Sequence, residues 1–345
     1  MKNNLTLFFL LSFSNNFFGQ ELFEYEKKIK DIENYHSTDL EFFNSTDDIK
    51  LYGTLVEPKT EYEKLVIIVS GSGMDTRNNH YLLTEDLLKN NIAVLRYDER
   101  GVGKSDGIFS AANYTITQMA RDLNAIYQAV KSSTALANKK TGFISHSQGG
   151  MVTMILLEQG IKPDFMVQWA APVEKHGAFL KYQLQNGTNK FENELIFDNI
   201  EKKLEIMDIF HEAFGGTPTE NDWKDDYEIS KKALKKAKQH GYTKKNYHRF
   251  YYSNFNSWKH IIKKDFEQIY AGSEVPMLYI IGSEDKYVDS VSETRLLQSF
   301  RVKNTTINVM PDLNHYLTKG ALTIESMYQI DDDAKNEITN WIKNN

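Results

Sequence analysis

The stretch Gly142-Phe143-Ile144-Ser145-His146-Ser147-Gln148-Gly149-Gly150 decides the fold. An apolar run over residues 141–145 stops, and helical periodicity starts at Gly149 and continues through residue 159. Ser147 stands between them, with a small residue two positions before it (Ser145) and two after it (Gly149). So abrupt a strand-to-helix turn forces its middle residue into a strained conformation and brings the two backbones together. Only small side chains fit at the flanking positions, which is the physical content of the G-x-S-x-G nucleophile elbow. Serine replaces the first glycine here and is small enough to keep the geometry. The turn lifts the Ser147 hydroxyl clear of the backbone and aims the positive end of a helix at charge developing nearby.

Outward from this point the chain alternates strand, loop and helix. Short strands are predicted at 65–69, 93–97, 141–145, 165–169, 277–281 and 305–310, with helices at 81–89, 116–131, 149–159, 291–297 and 334–343. Runs 65–69, 93–97, 165–169 and 277–281 are mainly apolar rather than alternating, as in parallel strands covered on both faces. Ahead of them, 40–43 and 49–56 read as an antiparallel hairpin across Asn44-Ser45-Thr46-Asp47-Asp48, and 21–33 as a short charged helix. The expectation is an α/β fold: a mostly parallel central sheet with helices on both faces and right-handed crossovers. Residues 173–272 break the rhythm: helix-like, lysine-rich and aromatic, they read as a helical lid inserted at the carboxyl edge of the sheet. The core is then 21–172 plus 273–345.

Ser147 needs a base and an orienting acid, both expected later in the chain in this architecture. Asp285 lies in the loop leaving the strand at 277–281, and His315 in the loop after the strand at 305–310. His315 would take the Ser147 proton during attack on a carbonyl, while Asp285 fixes the imidazole tautomer and stabilises the imidazolium. Glu284, Asp289 and Asp312 compete for the acid role, and His146 reads as packing around the elbow. Ser70-Gly71-Ser72-Gly73 follows the first parallel strand. An oxyanion hole would combine the backbone N–H of Gln148 with that of Ser72 or Gly73. The segment fails as a dinucleotide fingerprint because Thr76 occupies the third glycine position. Asp98 through Ser105 imitates a phosphate-binding loop, but Asp98 stands where the first glycine is required, so it reads as a structural turn.

Taken together, Ser70-Gly71-Ser72-Gly73, the stretch from Arg96 to Ser105, Ser145-His146-Ser147-Gln148-Gly149-Gly150, Gly282-Ser283-Glu284-Asp285 and Asn314-His315 resemble the α/β-hydrolase superfamily. The chain is most similar to bacterial serine esterases with a dienelactone-hydrolase-like or serine-aminopeptidase-like domain. The likeness covers roughly residues 40–172 and 273–345 and leaves out the insertion. It implies a Ser147–Asp285–His315 triad and cleavage of carboxylic esters; it does not name the substrate.

Composition is consistent with this. The 345 residues are 41% hydrophobic and 26% charged, ordinary globular values. A net charge of −6 argues against a nucleic-acid partner. The absence of cysteine excludes disulfides, thiol nucleophiles and thiolate metal sites. No cofactor and no metal is called for, and the expected partner is a small ester. Residues 1–20 open with Lys2, continue through the apolar Leu5 to Phe13 and exit through Asn15 to Gln20. That pattern matches a secretory signal peptide, although Phe17 fits poorly with cleavage near Gly19; a secreted or periplasmic protein is expected, with no stable membrane insertion. Residues 230–264 hold eleven Lys or Arg, no acid, and Tyr242, Tyr247, Phe250, Tyr251, Tyr252, Phe255 and Trp258. One reading is a solvated lid face; another is an aromatic pocket with a cationic rim favouring anionic esters; a third is attachment to an anionic surface. Competing functions are acyl transfer or peptide cleavage on the same triad, and a catalytically silent binding protein.

Overall fold

The structure is a computed structural model that describes residues 23–188, 199–220, 222–243 and 256–345. The segment read as a signal peptide lies outside them. Eight strands form one sheet in the order β1-β2-β4-β3-β5-β6-β7-β8. Strands β1 (Tyr35–Asn44) and β2 (Ile49–Pro58) are an antiparallel hairpin, and β2 runs antiparallel to β4 (Ile92–Tyr97). From β4 onward all pairs are parallel, through β3 (Lys64–Val69), β5 (Lys140–His146), β6 (Met166–Trp169), β7 (Met277–Gly282) and β8 (Thr305–Met310). Every residue of β4, β6 and β7 is buried, which is why these strands read as unbroken apolar runs.

Helices α1 (Tyr81–Lys89), α2 (Ile116–Ser132) and α3 (Gln148–Glu158) connect the parallel strands. The start of α2 is fixed by a capping box: Thr115 Oγ1 accepts the Gln118 N–H while the Gln118 side chain accepts the Thr115 N–H. The interval after β6 contains α4 (Phe179–Gln185), α5 (Ile200–Phe214), α6 (Trp223–Gln239), α7 (Asn256–Lys263) and α8 (Phe266–Ala271), and no strand among its described residues. Helix α7 is tied to the core where Ser257 donates its N–H to Ala112 and its hydroxyl to Ala111. After β7 come α9 (Ser290–Phe300) and, at the end, α10 (Asp332–Asn344). No helix among the described residues is long and apolar enough to cross a membrane.

Two expectations need correction. The hairpin strands are ten residues each, longer than 40–43 and 49–56. The outer half of β1 is exposed on both sides, so an edge strand of polar residues carries no hydrophobic signal there. The helix expected over 21–33 is not present from Phe23 onward, apart from a short 3-10 turn at Ile32–Asn34. Tertiary bonds override the local preference: the Tyr25 hydroxyl donates to Met74 O at 2.6 Å, and the buried Glu26 carboxylate accepts the Thr76 N–H and hydroxyl, each at 2.7 Å. Asp31 closes the segment at φ 53°.

Candidate active site

Strand β3 lies between β4 on one side and β5 on the other, so the chain winds in opposite directions from it. Ligands of open α/β sheets bind at such a switch point, beyond the carboxyl ends of the strands. Ser70 to Gly73 leave β3 there, and Ser147 leaves the adjacent β5. Asp285 and His315 occupy the loops leaving β7 and β8 at the same edge.

Ser147 has φ 52° and ψ −119°, a conformation L-residues rarely adopt, and its N–H donates to Trp169 O at 2.8 Å. The demand for a small residue two positions on is steric: a Cβ at Gly149 would lie 2.4 Å from Ser70 O and 2.5 Å from Val69 O. On the other side, a Cβ at Gly71 would be 3.3 Å from Ser147 Cβ, so the loop after β3 runs against the serine. Among the described residues, no acceptor takes the backbone N–H of Ser72, Gly73 or Gln148. These donors are available at the edge of the crevice, Gln148 as the first residue of α3.

Asp285 is buried and uses both oxygens. Oδ1 accepts the N–H groups of Tyr287 at 2.7 Å and Val288 at 3.0 Å, and Oδ2 pairs with His315 Nδ1 at 2.7 Å. With Nδ1–H donating to the carboxylate, Nε2 of His315 is the basic nitrogen. The other acids are elsewhere: Glu284 is exposed, Asp289 caps α9 by accepting the Val291 N–H, and Asp312 is exposed with its N–H on Ser283 Oγ. The histidine loop is shaped by Asn314, whose Oδ1 accepts the N–H groups of Tyr316 and Thr318. Asp285 and His315 are therefore in direct contact, and Ser147 stands at the same sheet edge. Among the described residues no hydrogen bond joins Ser147 to His315.

Several residues at this site carry no signal in the sequence. Tyr182 of α4 donates its hydroxyl to Asp285 O at 2.9 Å, bringing the insertion onto the acid loop. The Tyr287 ring lies 4.9 Å from the His315 ring, centroid to centroid. His146, read as packing, also makes a hydrogen bond: its Nε2 lies 3.2 Å from His315 O. Burial, reinforced by the neighbouring His315 and His80, holds the His146 imidazole well below its ordinary pKa.

The imitation of a phosphate loop is filled by the protein's own anion. Asp98 accepts the Arg77 guanidinium, with Nη2 to Oδ2 at 2.6 Å, and the Lys104 N–H at 2.9 Å. Gly103 allows this because, at φ 57°, a Cβ there would meet Asp98 Oδ2 at 2.4 Å.

The basic run is less free than its composition suggests. Lys231 pairs with Glu228, Lys236 with Glu212 of α5, Lys263 with Asp226, and Lys264 with Glu158 of α3. All four acids lie outside 230–264, which is why that window looked uniformly cationic. The buried Tyr242 hydroxyl donates to Glu205, and Trp258 packs partly buried against the core. Tyr247, Phe250, Tyr251, Tyr252 and Phe255 lie outside the described residues. Among the described residues no group of three or more His, Asp or Glu is set to hold a metal ion.

Residues 60–320 match the family described as serine aminopeptidase, S33. No curated protein matches the sequence. Among solved structures the chain is similar to an esterase from Pyrococcus furiosus, at 19% identity over 91% of this chain and 93% of that one, TM-score 0.57. It is similar to a bromoperoxidase from Bacillus anthracis, at 14% identity over 89% and 100% of the two chains, TM-score 0.54. An esterase from Exiguobacterium antarcticum matches at 15% identity over 88% and 97%, TM-score 0.51. At these identities the structural likeness is one of fold alone. The sheet order, the elbow at the switch point and the match over most of the chain together make this protein a hydrolase of the α/β-hydrolase fold, belonging to the serine aminopeptidase S33 family.

Proposed function

We propose that the protein cleaves carboxylic esters through an acyl-enzyme on Ser147. His315 Nε2 accepts the Ser147 proton as Oγ attacks the ester carbonyl, and the N–H groups of Gln148 and Ser72 stabilise the resulting oxyanion. Collapse expels the alcohol, which takes the proton from His315. Water then attacks the acyl-enzyme with His315 again as base, releasing the acid and restoring the serine. Asp285 keeps the proton on Nδ1 and stabilises the imidazolium. The observation that supports this most is the 2.7 Å contact of His315 Nδ1 with Asp285, at the same sheet edge as a serine held at φ 52°. Catalytic hydrogen bonds are often long or poorly aligned before substrate binds and tighten in the Michaelis complex. Under the same proposal residues 1–20 direct export.

The test is labelling with a fluorophosphonate probe and turnover of p-nitrophenyl esters of graded chain length. The parent should label and turn over. Ser147→Ala should lose labelling and lower kcat by about 10⁶. A parent that neither labels nor turns over would make this a silent binding protein. The family description favours one second reading, peptide cleavage, for which the same residues would serve. Comparing kcat/KM on matched ester, amide and amino-terminal peptide substrates decides between them, and a preference for the peptide would displace the ester reading.

A further inference from the structure

A histidine base can be held by its ring and by its backbone, and in this protein the backbone of His315 is held independently of Asp285. The His315 carbonyl accepts two side-chain donors, Trp169 Nε1–H at 3.1 Å and His146 Nε2 at 3.2 Å. A carbonyl oxygen can only accept, so His146 is the tautomer with its proton on Nε2, and both lone pairs of the oxygen are used. The two donors come from facing positions of adjacent strands, since His146 of β5 is registered with Trp169 of β6. Trp169 is also the residue whose own carbonyl receives the Ser147 N–H at 2.8 Å. One buried tryptophan at the end of a central strand is thus bonded to the backbone of the serine on one side and to that of the histidine on the other. Asn314 shapes the histidine loop from within, but its bonds to Tyr316 and Thr318 do not locate that loop relative to β5.

We infer that Trp169 and His146 are positioning residues that set the separation of His315 from Ser147 by clamping the His315 main-chain carbonyl. This rests on the reading of His315 as the base. The clamp works from rigid strand ends, so it acts before substrate arrives. A base displaced by a fraction of an ångström loses much of its effect, and a 1 Å misplacement costs roughly a hundredfold.

The test compares Trp169→Phe, which keeps the ring and removes the donor, with His146→Leu and His146→Gln, the last retaining an N–H donor of similar reach. For each, kcat and KM are measured per active site titrated with fluorophosphonate, together with the pH profile of kcat/KM. The expected result is a loss of about tenfold in kcat per titrated site for Trp169→Phe and His146→Leu, with KM within about twofold. A shifted acidic limb should accompany that loss, and His146→Gln should recover most of it. A merely structural role would instead lower melting temperature and the number of titratable sites, leaving kcat per site and the pH profile unchanged; that outcome overturns the inference. If the parent itself does not label, the esterase reading fails on its own. The clamp is then read by amide hydrogen exchange at Tyr316 to Thr318: faster exchange confined to that loop in Trp169→Phe supports it, and unchanged exchange refutes it.

Discussion

Asp285 receives the Tyr287 and Val288 N–H groups on one oxygen and His315 Nδ1 on the other. Asp285→Asn keeps the side-chain shape and can keep the two backbone bonds through its carbonyl oxygen. Its NH2 would then face His315 Nδ1, where two donors cannot meet. The imidazole answers by moving its proton to Nε2, the atom needed as base. We expect kcat to fall by about 10⁴, with melting temperature and KM little changed. Steady-state kinetics on refolding-checked protein measure this, and a loss under tenfold would remove Asp285 from the mechanism. The placement of Ser147, Asp285 and His315 at one sheet edge was legible because each follows a predicted strand. Position just past the strand at 277–281 favours Asp285, but the turn that keeps Glu284 and Asp289 off the ring rests on backbone bonds that the sequence does not display. His146 shows the limit of local reading: adjacency to Ser147 made it look like filler, and its partner lies 169 positions further along the chain.

Among the elements, the helices of the insertion hold the clearest departure from sequence expectation. Lys263 of α7 is fully buried, over the Phe214 ring and bonded to Asp226 of α6 at 2.7 Å. A run of eleven cations suggested a solvated rim, but a lysine that finds its acid on another helix becomes an internal joint. Removing one partner leaves the other charge buried and uncompensated, which costs about 3–5 kcal/mol. Asp226 retains a side-chain exposure of 20%, so water relieves part of that and the lower end is expected for Asp226→Asn. Replacing the pair together, with Lys263→Met and Asp226→Leu, should recover most of the loss. Urea denaturation of the single and the double variant checks this; Asp226→Asn costing under about 1 kcal/mol would show the pair to be solvated. Periodicity read most of the parallel strands and their helices closely because these have a buried face. It failed where the determinant was tertiary, at 23–31, whose Glu26 side chain is spent on Thr76 rather than on a helix.

Across the whole molecule, a mostly parallel sheet with an antiparallel hairpin was legible in the alternation of strand and helix, but the strand order and the attachment of the insertion to the core were not. Glu293 of α9 makes one such attachment, with Oε2 accepting the N–H groups of Val173 and Glu174, each at 2.9 Å, where the chain leaves β6 for the insertion. Burial first, and then the charge of Glu174, pushes its carboxyl up to about 8. An unfolded glutamate titrates near pH 4.3, so the folded state holds a proton that the unfolded state gives up between these values. The stability contributed by that proton is complete below about pH 4.3 and is lost progressively as pH rises through about 8. Glu293→Gln has no proton to lose and keeps a carbonyl oxygen for the two N–H groups. Variant and parent should therefore be equally stable near pH 4, and the variant should gain by on the order of a few kcal/mol by pH 9. Other titrating groups are common to both proteins and cancel in the difference. Urea midpoints across this range give the comparison, and a constant offset would mean that the carboxyl is already ionised in the folded state. Ionisation strengthens the two acceptor bonds but leaves a charge buried beside Glu174, so the first residues of the insertion should open more readily to hydrate it. In the parent, limited proteolysis near 173–174 should accelerate between pH 6 and pH 9 (approximately the upper half of the window set by the carboxyl at about 8), and Glu293→Gln should abolish the acceleration.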